Sequence, residues 1–236
     1  MRFNVLSIGA VFLASASAYT YERLDRNQSM LLILDQQVGL FSTVRDLEPI
    51  YFKQNLLAHA ALAKAFDLPV VMTTSAETGP NGPLPREVLD MFPDAPLIQR
   101  PGQINAMDNE DVRQAIASTG RSQVIVGGIL TDICTAFCAL SLREAGYSVW
   151  ANIEASGTSS EMVRDASNDR MKDAGVHTVS LGAIFGELMR DWRIPPAGMT
   201  ALAFFDAYAP ALGMLARGHR DAIKNGTLIP GEEELP

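Results

Sequence analysis

Cysteine and histidine are scarce in this chain, at two and three residues among 236. Cys134 and Cys138 lie four apart on one predicted helix, where a bridge would close a tiny loop and restrain almost nothing. That excludes a disulfide-stapled fold and leaves the pair as one working thiol and one small buried hydrophobe. His59, His177 and His219 fall in a helix, at a strand start and in the tail, so no metal site follows from them. Cations are also in the minority, with 19 Lys and Arg against 27 Asp and Glu and a formal charge of −8. This balance argues against nucleic acid or an anionic membrane as partner. No apolar run is long enough to span a bilayer.

The N-terminal segment MRFNVLSIGAVFLASASA (1–18) joins a positive Arg2 to an apolar stretch from Val5 to Leu13 and an Ala-Ser-Ala ending. It reads as a secretory signal cleaved after Ala18, which makes the mature protein extracellular. Setting 18 residues aside leaves 218, enough for one large domain, and because Arg2 is the only charge removed the net charge becomes −9. Secretion brings two glycosylation sequons into play, at Asn27 and Asn225.

The middle of the chain alternates strand and helix. Strands are expected at 29–35, 68–75, 122–128, 147–153 and 176–181, with a short extended piece at 96–99. Helices are expected at 49–67, around 86–91, at 109–119, from Cys134 towards Gly146, at 159–175 and from about 183 to 190. This alternation implies a parallel sheet with helices on both faces, a three-layer α/β sandwich over residues 19–196. Residues 197–236 form a C-terminal helical arm and tail. Its stretch 199–216 is apolar around its circumference, breaks at Pro210, and must be covered, either as a lid on its own core or, most simply, by a neighbouring subunit.

Three residues converge on the carboxyl edge of this sheet. Asp35 ends the first strand in LLILDQQ, Arg100 follows the short extended piece in LIQRPG, and Cys134 opens the helix after SQVIVGG. Taken singly, each has an ordinary explanation: a turn aspartate, a surface ion pair, an inert buried cysteine. Together they make a catalytic set. A free thiol of pKa about 8.5 is only about 3% thiolate at pH 7, so a nucleophilic cysteine needs help. A helix N-terminus and Arg100 would lower its pKa, Asp35 would act as general base, and backbone N–H groups of the turn at residues 131–134 could face an oxyanion. Phe41, Thr74, Glu77, Gln103 and Asn105 are candidate pocket residues by position alone.

The D-x-Q after the first strand, RPGQINAMDN and the GGILTDIC turn resemble the isochorismatase-like cysteine hydrolases, and within them the YcaC-like branch. The resemblance runs from about Tyr21 to Arg193 and includes the ETGPNGPL loop and the ASGT and DWR segments. It implies a three-layer α/β fold and a triad of aspartate, cation and cysteine, here Asp35, Arg100 and Cys134. It also implies a non-proline cis peptide at Leu130–Thr131, an oxyanion hole from the N–H groups of Thr131 and Cys134, and rings that stack into octamers. Most of that superfamily has lysine where this chain has Arg100; arginine effectively cannot shuttle a proton, so acid–base duty would rest on Asp35.

The reading is a secreted, cofactor-free, homo-oligomeric hydrolase whose cysteine attacks a small amide-like or ester-like substrate through a thioester. Two alternatives stay open: isochorismate hydrolysis that diverts a salicylate precursor, and a non-catalytic ligand-binding scaffold of the same fold.

Overall fold

The computed structural model describes residues 20–193 and 199–228, so the signal segment 1–18 lies outside the described residues. Six strands form one parallel sheet: β1 (Ser29–Leu34), β2 (Val70–Ser75), β3 (Leu97–Arg100), β4 (Gln123–Gly128), β5 (Ser148–Asn152) and β6 (His177–Val179). The order across it is β3-β2-β1-β4-β5-β6, so chain direction switches sides between β1 and β4. Every residue of β1 and β4 is buried, which is why both read as unbroken rather than alternating runs.

Alternate side chains of these strands feed two cores. Leu31, Ile33, Val70, Met72, Ile125 and Trp150 face α1 (Pro49–Phe66), α6 (Leu181–Met189) and α7 (Met199–Tyr208). Met30, Leu32, Leu34, Val71, Val124, Val126 and Val149 face α3 (Glu110–Ser118), α4 (Ala136–Glu144) and α5 (Glu161–Asp173). The three-layer expectation therefore holds. Local chemistry sets the helix ends: Glu48 accepts the Tyr51 N–H ahead of Pro49, α1 stops at Asp67 with φ 54°, and Ser160 caps α5 through the Val163 N–H. The last strand is shorter than the apolar pattern suggests, because Ser180 caps α6 and starts the helix at Leu181.

The C-terminal arm divides at Pro210 into α7 and α8 (Pro210–Asn225), and α8 runs well past the expected end at 216. The expectation that a neighbour covers the arm needs correcting for α7. Its Ala201, Phe204 and Phe205 are buried in the chain's own core, with both phenyl rings 4.8 Å from Phe185 of α6. Helix α8 lies on α7, joined by an Arg217–Asp206 ion pair at 3.1 Å. Its Leu212, Met214, Leu215 and Ile223 stay exposed, Leu215 by 71%. Among the described residues no helix is long and apolar enough to cross a membrane.

His59 of α1 is a structural histidine under the sheet. Its ring lies 3.2 Å from the Leu32 carbonyl through Nε2 and 3.3 Å from the Asn152 amide through Nδ1, and burial pushes its pKa down to about 4. Between the unfolded value near 6.5 and that folded value, the unfolded chain binds a proton that the folded chain refuses. Stability should therefore fall by about 2–3 kcal/mol as pH drops through this window. Urea melts at pH 7 and 4.5 check this: His59→Gln should lose distinctly less than wild type over the interval, and equal losses would refute the assignment.

Candidate active site

Asp35 follows β1 with φ 51°, a left-handed conformation that aspartate tolerates better than most residues. Its Oδ1 accepts a hydrogen bond from Thr73 Oγ1 at 2.8 Å, and its Oδ2 accepts from Arg100 Nη2 at the end of β3. Both side chains of this ion pair are fully buried. The other arm of the guanidinium donates to the carbonyls of Gln103 and Ile104, so Arg100 ties the PGQI loop to the end of β1.

Cys134 arrives from the other side of the switch point. Gly128 lets it approach: a Cβ there would lie 2.6 Å from the Leu34 carbonyl oxygen and 2.7 Å from Thr135 Oγ1. The cysteine does not sit in the first turn of a regular helix as expected. It lies in a wider, π-type turn, Thr131–Thr135, and α4 proper begins at Ala136. The non-proline cis peptide is present at Ile129–Leu130, one bond before the expected Leu130–Thr131. The Thr131 N–H, expected to face an oxyanion, already donates to the Gly157 carbonyl at 3.0 Å, while the Leu130 backbone hydrogen-bonds to the Cys134 thiol.

The thiol is not activated in its resting state, contrary to the expected lowering. Burial pushes the Cys134 pKa up to about 12, with the charge and acceptor oxygens of Asp35 adding to the rise. Arg100 and the Leu130 N–H pull the other way with less weight. Cys138 is fully buried in the core beneath α4, and burial raises its thiol further still.

The ASGT segment braces the cysteine turn. Ser156 Oγ accepts the Gly128 N–H at 3.2 Å, Thr158 Oγ1 donates to Asp132 Oδ1 at 2.6 Å, and the Thr158 N–H donates to Asp46 Oδ1 at 2.7 Å. Gln37 holds the opposite loop, accepting the Ser75 N–H at 2.8 Å and donating to the Gly82 carbonyl.

A pocket of about 240 Å³ opens onto Asp35 and Cys134, lined also by Leu40, Ile129, Leu130, Ile133, Ser75, Asn81 and Ile104. None of the five candidate pocket residues lines it. Phe41 packs edge-on against Phe52, 5.8 Å between centroids. Thr74 donates to Glu77 at 2.8 Å, Gln103 contributes its carbonyl to Arg100, and Asn105 caps the turn at Met107 and reaches Ser141 at 2.9 Å. Thr73 is the polar contact that the sequence reading missed. A threonine inside a buried strand, level with Asp35 on its neighbour, was the available signal. Among the described residues no group of three or more His, Cys, Asp or Glu is arranged to hold a metal.

Buried carboxylate, guanidinium and thiol thus meet in the crevice at the switch point of a three-layer parallel α/β sheet, where such folds bind ligands. The isochorismatase domain model matches residues 29–182, and the chain belongs to that family of hydrolases. The probable hydrolase YcaC of Escherichia coli K12 is 48% identical over 182 residues, covering 77% of this chain and 88% of that protein. Two solved structures are similar, each 45% identical. YcaC from Pseudomonas aeruginosa with hexane-2,5-diol and covalent acrylamide has TM-score 0.82 over 85% of this chain and 98% of its own. The Escherichia coli YcaC gene product, an octameric hydrolase of unknown specificity, has TM-score 0.83 over 86% and 99%. The YcaC-like branch is therefore the one to which this chain is similar.

Removing one partner of a buried ion pair strands the other charge. Arg100→Ala should cost about 3–5 kcal/mol of stability. Arg100→Lys should cost less, because it keeps the charge but loses the fork that also holds Gln103 and Ile104. Denaturant midpoints test the order; an Arg100→Ala protein as stable as wild type would overturn it.

Proposed function

We propose that this protein hydrolyses a small amide-like or ester-like substrate through a thioester on Cys134. The observation that carries the reading is the thiol set beside a buried Asp35 at the mouth of a pocket, with the Leu130 backbone hydrogen-bonded to it. A thiol of pKa about 12 is neutral at pH 7, so it becomes a nucleophile only as Asp35 takes its proton during attack. Sulfur adds to the carbonyl carbon, and the oxyanion is held by the N–H groups of Leu130 and Cys134. Asp35 returns the proton to the departing amine or alcohol, leaving the thioester. Asp35 then takes a proton from water, whose oxygen attacks the thioester, and the sulfur leaves and is reprotonated. Arg100 exchanges no proton in this scheme; it holds the Asp35 carboxylate in place. The covalent acrylamide on the Pseudomonas relative supports a nucleophilic side chain in this branch.

Cys134→Ser should fold and lose nearly all turnover across a panel of amides and esters, while Cys138→Ser keeps most of it. Asp35→Asn should lower kcat by on the order of a hundredfold or more. Equal losses in the two folded cysteine variants would sink the single-nucleophile reading.

The proposal extends to assembly and location. The octameric Escherichia coli relative supports a homo-oligomer, and the apolar stripe of α8 needs a cover. Deleting residues 210–236 should turn the oligomer into smaller species by light scattering while α7 keeps the core closed. A full-length protein that is monomeric at micromolar concentration refutes it. Export directed by residues 1–18 is proposed from the segment's composition alone, and N-terminal sequencing of the mature protein should begin at Tyr19.

A further inference from the structure

The pocket onto Cys134 is walled mainly by aliphatic side chains, those of Leu40, Ile104, Ile129, Leu130 and Ile133, with Ser75 and Asn81 as neutral polar members and the Asn81 amide donating to the Ser75 carbonyl. Asp35 and Cys134 are its only ionisable members, and no Lys, Arg or His is among its lining residues. Arg100 stands behind Asp35 with its side chain fully buried, and both ends of its fork are committed, to the Asp35 carboxylate and to the carbonyls of Gln103 and Ile104. Its charge therefore compensates Asp35 and is not offered to a ligand. The lining also contains no aromatic ring; Phe41, the nearest in sequence to Leu40, is turned against Phe52.

We infer that the acyl group this site accepts is small, uncharged and aliphatic. The inference rests on the cysteine-hydrolase reading and names its substrate class. A carboxylate entering the pocket would leave water for largely aliphatic walls and meet no available cation, because the Arg100 charge is already spent on Asp35. An aryl group would find no ring to stack on among the lining residues, and a volume of about 240 Å³ holds the acyl group to a small size. A short alkyl chain loses nothing by leaving water and leaves its carbonyl free to meet the N–H groups beside Cys134. The same argument separates this site from isochorismate, which carries two carboxylates.

Three reagents with one reactive group test the class: iodoacetamide, iodoacetate and iodoacetanilide. Each rate of Cys134 modification, followed by intact mass in the Cys138→Ser background, is divided by that reagent's rate with N-acetylcysteine. The normalised iodoacetamide rate should exceed that of iodoacetate by about tenfold or more, the least that desolvating a carboxylate with no partner brings. Iodoacetanilide should also fall below iodoacetamide, by about threefold or more, the loss that overfilling a packed apolar site brings. Ile104, 57% exposed, is the most solvent-accessible residue of the lining. Ile104→Lys should therefore fold and narrow the amide-to-acetate gap. Equal normalised rates for amide and acetate, or no narrowing in Ile104→Lys, overturn the charge claim. An anilide that reacts as fast as the amide overturns the aliphatic one. Failure of all three reagents to label Cys134 in the assembled protein overturns the cysteine reading itself, an outcome distinct from loss of selectivity.

Discussion

The buried ion pair between Asp35 and Arg100 is the constraint on which the site depends. Two charges are tolerated in the interior because they neutralise each other and spend most of their remaining hydrogen-bonding capacity, on Thr73 for the carboxylate and on two loop carbonyls for the guanidinium, leaving Arg100 Nε without a partner. One interaction thus fixes the end of β1 to the end of β3 across the intervening strand and pulls Ile104 into the pocket wall. It also decides what the pocket is. With the cation sequestered behind the carboxylate, the surface presented to a ligand is mainly aliphatic and carries no available positive charge, and the carboxylate is held beside the sulfur.

The raised thiol pKa follows from the same burial and changes how the site has to work. A cysteine held as a permanent thiolate would react with any passing electrophile. In the proposed mechanism, a cysteine held neutral by burial and by a neighbouring carboxylate reacts as a substrate fills the pocket and the proton moves to Asp35. Such coupling demands that the turn carrying the sulfur be fixed. Residues 155–158 fix it, hydrogen-bonding to Gly128, Thr131 and Asp132 on the approach to the thiol.

What the sequence made legible was whatever lies at the end of a strand. Asp35, Arg100 and Cys134 each follow an apolar run, and a parallel sheet aligns all such ends on one edge, so their meeting could be read from spacing. The pocket wall could not. Leu40, Asn81 and Ile104 come from three separate loops whose convergence depends on Gln37 and Arg100 bonding to backbone carbonyls, and such bonds leave no periodic trace. Phe41, Thr74 and Asn105 are each adjacent in sequence to a residue that matters more, and a displacement of one residue points a side chain elsewhere. The thiol was misjudged for a different reason: sequence shows which charges are near, but not how much water burial removes.

The arm illustrates a limit of apolar patterning. Phe204, Phe205, Leu212 and Leu215 look alike in sequence, and composition says only that each should be covered, not by what. The break at Pro210 separates two outcomes. Before it, α7 follows the last sheet helix closely enough for its rings to pack on Phe185, and it closes the chain's own core. After it, α8 touches chiefly α7, and among the described residues nothing covers Leu215 and Met214, 71% and 68% exposed. An apolar face left over once a core is complete is the ordinary raw material of an isologous contact, because a second copy brings the same face and the same need. The helix that adds least to the fold of one chain is therefore the one best placed to join two.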